Sequence, residues 1–474
     1  MKHIFLILFV IIVISSCKEE TNRSLNQSHD DDHPHAHNSY VSDVPAHKLI
    51  FPSKVPDRVI VNLTEDAQHS FAVNWRTDPS ISTAYVEVAK ESHGPDFLID
   101  GSITKSMAES ERISVENTRD EEPLVEAKYH SALIENLEAG TTYVYRVGDG
   151  SDNDDLWSEW FQIQTAPENK DEPFSFIYFG DAQNNVKSMW SRVIRKSYKM
   201  LPEVNFMLHA GDLINHSESD REWGEWFYAG SFIHATVPSV MTPGNHEYNR
   251  ETERSKLSAL WRPQFNLPKN GPSEDLMETC YVIDYQNMKL ISIDSQSLDN
   301  DPVSRELQEK WLDSVLASNT QKWTTITMHH PIYSTAKGRD NTALRETLKP
   351  LIDKYKVDLV LQGHDHTYAR GYDSNADSGK TVVEDAGAVY AVSVSGPKMY
   401  ESEAQTWMEK RGEFTQLFQI ITVANDTLKY NAYTPLGGLF DSFQIVKKDG
   451  NKTIINNAES KAFTRFKKDF VSEE

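Results

Sequence analysis

Residues 204–217 read VNFMLHAGDLINHS. From Val204 to Ala210 the run is almost wholly apolar, the pattern of a strand covered on both faces, and such strands belong to sheets flanked by helices. It stops at Gly211-Asp212, so a strand built for burial ends in a carboxylate. A buried carboxylate is costly unless a cation or hydrogen-bond donors meet it. Three residues further on stands an amide, Asn215.

The same grammar recurs on either side of this stretch. FSFIYFGD (174–181), PSVMTPGNHE (238–247), WTTITMHHP (323–331) and VDLVLQGHDH (357–366) are apolar runs that end in Asp181, Asn245-His246-Glu247, His329-His330 and His364-Asp365-His366. MKLISIDS (288–295) and AVYAVSVSG (388–396) are further strands, and amphipathic stretches such as SMWSRVIRKSYKML (188–201) and ALRETLKPLIDKYK (343–356) lie between them. Strands alternating with helices predict an α/β domain. In open α/β sheets the carboxyl ends of the strands face one crevice, so the five polar endings are expected to meet. His364 and His366, two apart, fall on one side of a locally extended chain. Glycine before the polar group in four of the five endings permits tight turns and close backbone approach. Carboxylate and amide oxygens with imidazole nitrogens, and no thiolate, suit borderline metals such as Fe, Mn, Zn or Co.

Upstream the texture differs. RVIVNL, SFAVNWRTD, TAYVEVAK, KYHSALIENL, TTYVYRVGDG and WSEWFQIQT, within residues 45–167, alternate with period two and are separated by turns, which predicts a small all-β sandwich. TAPENKDEP (165–173) reads as a linker. The segments SFAVNWRTD and LEAGTTYVYRVGD resemble fibronectin type III modules, including the one that precedes the catalytic domain of plant-type purple acid phosphatases. Trp75 is read as core, with Tyr143 and Tyr145 on strand faces; Trp223, Trp226 and Trp261 are also read as core.

The ordered set of strand endings resembles the calcineurin-like metallophosphoesterases, and MHHPIYS (328–334) with GHDHTYAR (363–370) resembles the fourth and fifth motifs of purple acid phosphatases. The resemblance implies an α/β metallophosphoesterase sandwich, mixed sheets flanked by helices, over residues 168–440, preceded by the fibronectin III-like sandwich. It implies two metal ions: one held by Asp181, Asp212 and His366, the other by Asp212, Asn245, His329 and His364, with Asp212 bridging. Two such ions would clamp the phosphoryl oxygens and generate a bridging hydroxide for in-line attack. His246 resembles the family's non-ligand histidine that stabilises phosphate or protonates the leaving oxygen. The implied substrate is a small phosphate ester, a monoester by the purple acid phosphatase likeness. A phosphodiesterase or nucleotidase on the same ligands, or a silent binding protein, are the alternatives.

Three positions depart from the family pattern. Asn215 stands where purple members carry a tyrosine, Gln183 where other metallophosphoesterases carry a histidine, and no histidine follows in IYSTAKGRD (332–340), where Lys337 and Arg339 are the nearest cations. Gln183 and Asn215 are candidates to add an amide oxygen to the first metal or to hold a water there. Without a phenolate a colourless enzyme is expected, whose first site favours a divalent ion. His216 and His330 are read as solvated neighbours of the motifs, Asp294 as structural, and SVSGPKMY (393–400) as a turn or as backbone for the site rim.

The N-terminus, MKHIFLILFVIIVISSC, has an early lysine, an apolar run from Ile4 to Ile14 and small residues before Cys17. That is an export signal over residues 1–16. ISSC resembles a bacterial lipobox, which implies lipidation of Cys17 and a protein anchored to a membrane outside the cytoplasm; the alternative is simple secretion. Residues 17–44, rich in His and Asp (HPHAH, 33–37), read as a disordered tether, and residues 441–474 as a C-terminal extension. A net charge of -23 argues against a nonspecific grip on nucleic acid, which needs clustered Lys and Arg. Oligomeric state has no signature in the sequence.

Overall fold

Alternation along the predicted strands fixes how the layers stack. In the strand Leu359–Gln362, Leu359 and Leu361 point into one core while Val360 points into another, and Val389, Tyr390 and Ala391 divide in the same way. The computed structural model, which describes residues 49–116, 122–249, 256–373, 380–385, 387–457 and 465–469, therefore has two facing sheets. Between them lies a shared core that includes Phe176, Phe206, Tyr281, Leu290 and Leu361. Helices cover the outer face of the second sheet: Leu312 and Leu316 of Pro302–Ala317, and Leu344, Leu348 and Ile352 of Thr342–Lys354, pack on Ile291, Ile326 and Val360. On the other side Val193 and Ile194 of the helix Ser191–Met200 join the main core.

The five ligand-bearing strands divide between the sheets. Phe174–Phe179, Phe206–Ala210 and Ser239–Thr242 run parallel in a twelve-stranded sheet. Trp323–Met328 and Leu359–Gln362 run parallel, beside Met288–Ile293 and Val389–Val392, in a seven-stranded sheet. The crevice thus lies where two sheets present their carboxyl ends, not at the edge of one.

Continuous sheet crosses both expected boundaries. The N-terminal sandwich is present: a four-stranded sheet that includes Tyr85–Lys90 and Thr142–Gly148 packs through Val86, Val88, Tyr145 and Val147 against Val73, Trp75 and Ala132. It is not a separate body. Asp57–Asn62 pairs with Ser239–Thr242 through Asn62 and Ser239, so one sheet runs through both halves, and Tyr40–Glu474 is one compact unit. Arg58 and Arg76 reach from the sandwich to Asp220 at 2.8 and 2.9 Å in a buried cluster, and the Tyr145 hydroxyl donates to the Ala235 carbonyl at 2.6 Å. The boundary at 440/441 falls inside the strand Leu439–Lys448, which pairs with Asn451–Asn456. Phe443, Ile445 and Ile454 alternate into the main core, so this segment completes the sheet instead of trailing from it.

The export signal, Cys17 and the tether up to residue 44 lie outside the described residues. Among those described, no helix is long and apolar enough to cross a membrane.

Candidate metal centre

The turns after the ligand strands are tight enough to force unusual backbone. Asp212 and His364, neither a glycine, have φ of 52° and 70°. Such left-handed residues persist where the surroundings over-determine them, and they concentrate at functional sites. Gly211 (φ 84°) has no room for a side chain, since a Cβ would stand 2.6 Å from the Gly244 nitrogen. At Gly363 a Cβ would stand 2.4 Å from Asp181 Oδ2.

These turns gather two groups of donors that share Asp212. Asp181, Asp212 and His366 form one, and Asp212, His329 and His364 the other, with ligating atoms within 4.8 Å of one another in each. His366 Nε2 lies 3.4 Å from Asp181 Oδ1, and His329 Nε2 lies 3.2 Å from Asp212 Oδ2. Asn245 Oδ1 completes the second group, 3.1 Å from His329 Nε2 and 2.9 Å from His364 Nδ1. All six expected ligand positions therefore come together.

The outer atoms of the rings are held by the frame. His329 Nδ1–H donates to the Ala210 carbonyl at 2.9 Å and His366 Nδ1–H to the Lys398 carbonyl at 3.0 Å, which turns each Nε2 inward. Burial pushes His364 and His366 well below the ordinary histidine value, so both are neutral, the form that binds a cation. Burial opposes charge on His329 as well, but Asp212 and Asp181 outweigh it and raise the ring to about 9. Burial pushes Asp181 well up, whereas Asp212 stays well down, because His329 and His246 outweigh its burial.

Among the buried side-chain atoms without a hydrogen-bond partner are Asp181 Oδ1 and Gln183 Oε1. Both belong to the first group. A buried orphan oxygen beside a carboxylate and neutral imidazoles is what a cation would satisfy, so the donors fit metal ions.

The two amides take different places. Gln183 is buried at the first group, its Nε2 2.7 Å from Asp212 Oδ2 and 3.0 Å from His366 Nε2. Asn215 turns its Nδ2 to His216 Nε2 at 2.9 Å, while its backbone carbonyl accepts from His246 Nδ1–H at 2.5 Å. That bond fixes the ring so that His246 Nε2 faces Asp212 Oδ2 at 3.9 Å. Asn215 thus acts on the catalytic candidate through its main chain.

His330 is not solvated: it is buried, its ring 4.3 Å from that of His364, and its Nδ1 is 3.0 Å from Ser295 Oγ. His216 is half-buried against Glu222, 3.1 Å from Oε1. Asp294 is a helix cap that accepts from the Ser297 N–H at 3.0 Å, and Trp223, Trp226 and Trp261 are core. The 393–400 segment does supply rim backbone, since the Gly396 N–H donates to the Asp181 carbonyl at 2.6 Å.

One positioning residue was visible in GNHE without being assigned a role. Glu247 accepts from the backbone N–H groups of Asp212 (2.9 Å), Leu213 (2.8 Å) and Gly244 (2.6 Å), tying two ligand turns together. Burial, then the nearby Asp212, raise its carboxyl to about 7. The signal was a carboxylate three residues after Gly244, where it can reach back to cap the turn. In GHDH the middle residue turns away from its neighbours: Asp365 Oδ2 accepts from the Thr335 N–H at 2.6 Å and anchors the following loop.

Residues 174–368 match the calcineurin-like phosphoesterase family and residues 56–165 the purple acid phosphatase N-terminal domain. A purple acid phosphatase of Glycine max is 28% identical over 51% of this chain and 52% of its own length. A protein of Arabidopsis thaliana named "Probable inactive purple acid phosphatase 24" is 26% identical over 51% of this chain and 43% of its own. The chain spans about three fifths or less of the length of the curated relatives it matches. In fold it is similar to a purple acid phosphatase from yellow lupin seeds, with a TM-score of 0.68 at 19% identity over 83% of this chain and 75% of that one. Residues 174–368 are thus a calcineurin-like phosphoesterase domain, and residues 56–165 a purple acid phosphatase N-terminal domain.

Proposed function

We propose that the protein hydrolyses phosphomonoesters with two divalent metal ions. The observation that carries this reading is the pair of donor groups joined by Asp212, with Nε2 of His329 and of His366 turned inward. Asp181, Asp212, His366 and the Gln183 oxygen would hold one ion, the amide having turned over to satisfy its orphaned atom; Asp212, Asn245, His329 and His364 would hold the other. Ions there would neutralise phosphoryl charge and lower the pKa of a water held between them. His246, its Nδ1–H held by the Asn215 carbonyl, turns Nε2 towards the site and in its imidazolium form would give the Nε2 proton to the leaving oxygen. With Asn215 facing His216, no phenolate ligand is offered, and the loaded protein is expected to be colourless. Some relatives are named as inactive, yet all six ligand positions are filled here, which favours a working enzyme over a silent binding module.

The test is metal content and an absorption spectrum on purified protein, with turnover of an aryl phosphate and of its bis-ester. Two ions per chain, no visible charge-transfer band and preference for the monoester are expected. Absence of metal together with an Asp212→Ala variant that changes nothing would leave the binding-module reading standing. We further propose export and anchoring through a lipid on Cys17; replacing Cys17 by serine should move the protein from the membrane fraction to the soluble one.

A further inference from the structure

Beyond the two donor groups, the mouth of the site carries a feature that the family motifs do not assign. The loop that follows the fourth motif pairs with the 400–403 segment: Ala336 bridges Ser402, the Lys337 N–H donates to the Glu401 carbonyl at 2.9 Å, and the Glu403 N–H donates to the Thr335 carbonyl at 3.3 Å. This ribbon brings two cations, Arg339 and Lys398, to one aromatic ring, Tyr400, in a chain whose net charge is -23. Tyr400 is pinned to the site by its N–H, which donates to the His366 carbonyl at 2.9 Å, and its ring lies 4.7 Å from the His366 ring. The Arg339 guanidinium carbon sits 4.9 Å from the Tyr400 ring centre and the Lys398 ammonium 5.5 Å.

Their positions relative to the ligands decide what they can bind. Arg339 Nη1 is 3.1 Å from His364 Nε2, the edge of that imidazole opposite Nδ1, and 3.3 Å from Asp365 Oδ1. Lys398 stands beyond the Tyr400 ring that covers His366. Each cation therefore borders the donor groups, Arg339 at the outer edge of His364 and Lys398 at the Tyr400 ring beside His366. Lys337 differs, since it is mostly exposed and pairs with Glu401 at 3.8 Å. Lys398 forms no ion pair among the described residues, so its charge is available to a ligand.

We infer that Arg339 and Lys398, flanking Tyr400, form a second anion position, and that the preferred substrate is a phosphate ester whose alcohol portion carries a carboxylate or a second phosphate. The inference rests on the phosphatase reading and names its substrate class. A cation in this place acts on ground state and transition state alike, so its contribution falls on KM. Held over an aromatic face, the guanidinium and ammonium are also oriented before substrate arrives.

The test compares kcat/KM of the metal-loaded protein for phenyl phosphate, carboxyphenyl phosphate and a phenylene bisphosphate. The charged esters should be favoured by roughly fivefold at low salt, the scale of an exposed charge pair, with the preference carried by KM and shrinking as salt rises. Lys398→Ala and Arg339→Ala should each draw the ratio towards one. Lys337→Ala should keep it. Which of the two charged esters gains more separates a carboxylate ligand from a phosphate ligand. Equal rates for neutral and charged esters in the wild type, or a preference that survives both variants, would overturn the inference alone. No turnover of any of the three would overturn the phosphatase reading and this inference with it.

Discussion

The two halves of the metal centre share Asp212 yet are built differently. The second group is closed by Asn245, His329 and His364, each from a separate turn and each already in contact with another member. The first has Asp181 and His366 plus a glutamine amide, and it holds both of the buried oxygens that lack a partner there. A shell that satisfies itself through hydrogen bonds is preorganised, whereas one with orphaned oxygens depends on the ion to complete it. The difference teaches that the second site should fill first and the first site should respond most to substitution.

Removing the shared ligand is the severest way to break this comparison. Asp212→Ala should cost both sites, with phosphatase activity down by about a thousandfold or more, the loss of a whole electrostatic clamp. Elemental analysis should show that metal content falls with it. His246→Asn, in contrast, should leave both ions in place while kcat drops by roughly a hundredfold, as for loss of a proton donor. Steady-state kinetics on metal-quantified protein separates the two outcomes.

Glu247→Gln weakens the frame of both sites. An amide cannot accept from three N–H groups as a carboxylate does, so chelator competition should show metal affinity lower by about tenfold to a hundredfold for the pair together. Gln183→Ala sharpens the comparison directly. It should weaken the first site alone, by about tenfold, so that metal titration shows a wider gap between the tighter second site and the weaker first one. Equal weakening of both sites would mean that Gln183 only orients Asp212.

The smallest effect lies outside both sites. Burial pushes the Asp220 carboxyl up, but Arg58 and Arg76 more than offset it, and its folded value is lowered. A depressed carboxylate stabilises above its unfolded value, and that contribution is lost as pH falls through the folded value. The melting temperature should therefore decline below about pH 4, by roughly 2–4 °C for each kcal/mol withdrawn. An Asp220→Asn variant should start lower and flatten that decline; a slope equal to wild type would show that other carboxylates govern it.

Much of the centre was legible because burial and chemistry conflict openly in the sequence. An apolar run that ends in Gly-Asp or Gly-His-Asp-His pairs a strand that must be covered with groups that need partners, and five repeats of the conflict mark one site. The roles of Glu247 and of the Asn215 carbonyl were less legible, because backbone groups carry them and every residue has the same backbone. His330 read as solvated since its neighbour His329 already accounted for the motif; its burial follows from Ser295 and His364, which approach from other elements.

By itself the sequence determined which residues end the strands, and hence the donor types, since side-chain chemistry and period-two alternation are local properties; the six candidate ligands and the departures at Gln183 and Asn215 came from the family resemblance. Only the tertiary structure decided that the ligands come from two sheets, that the N-terminal sandwich and the residues after 440 belong to the same sheet, and that the two amides part company. These depend on which distant segments pack together. A hydrogen bond or sheet edge between residues far apart in the chain leaves no periodic trace in either segment, so its outcome appears only when both are in place.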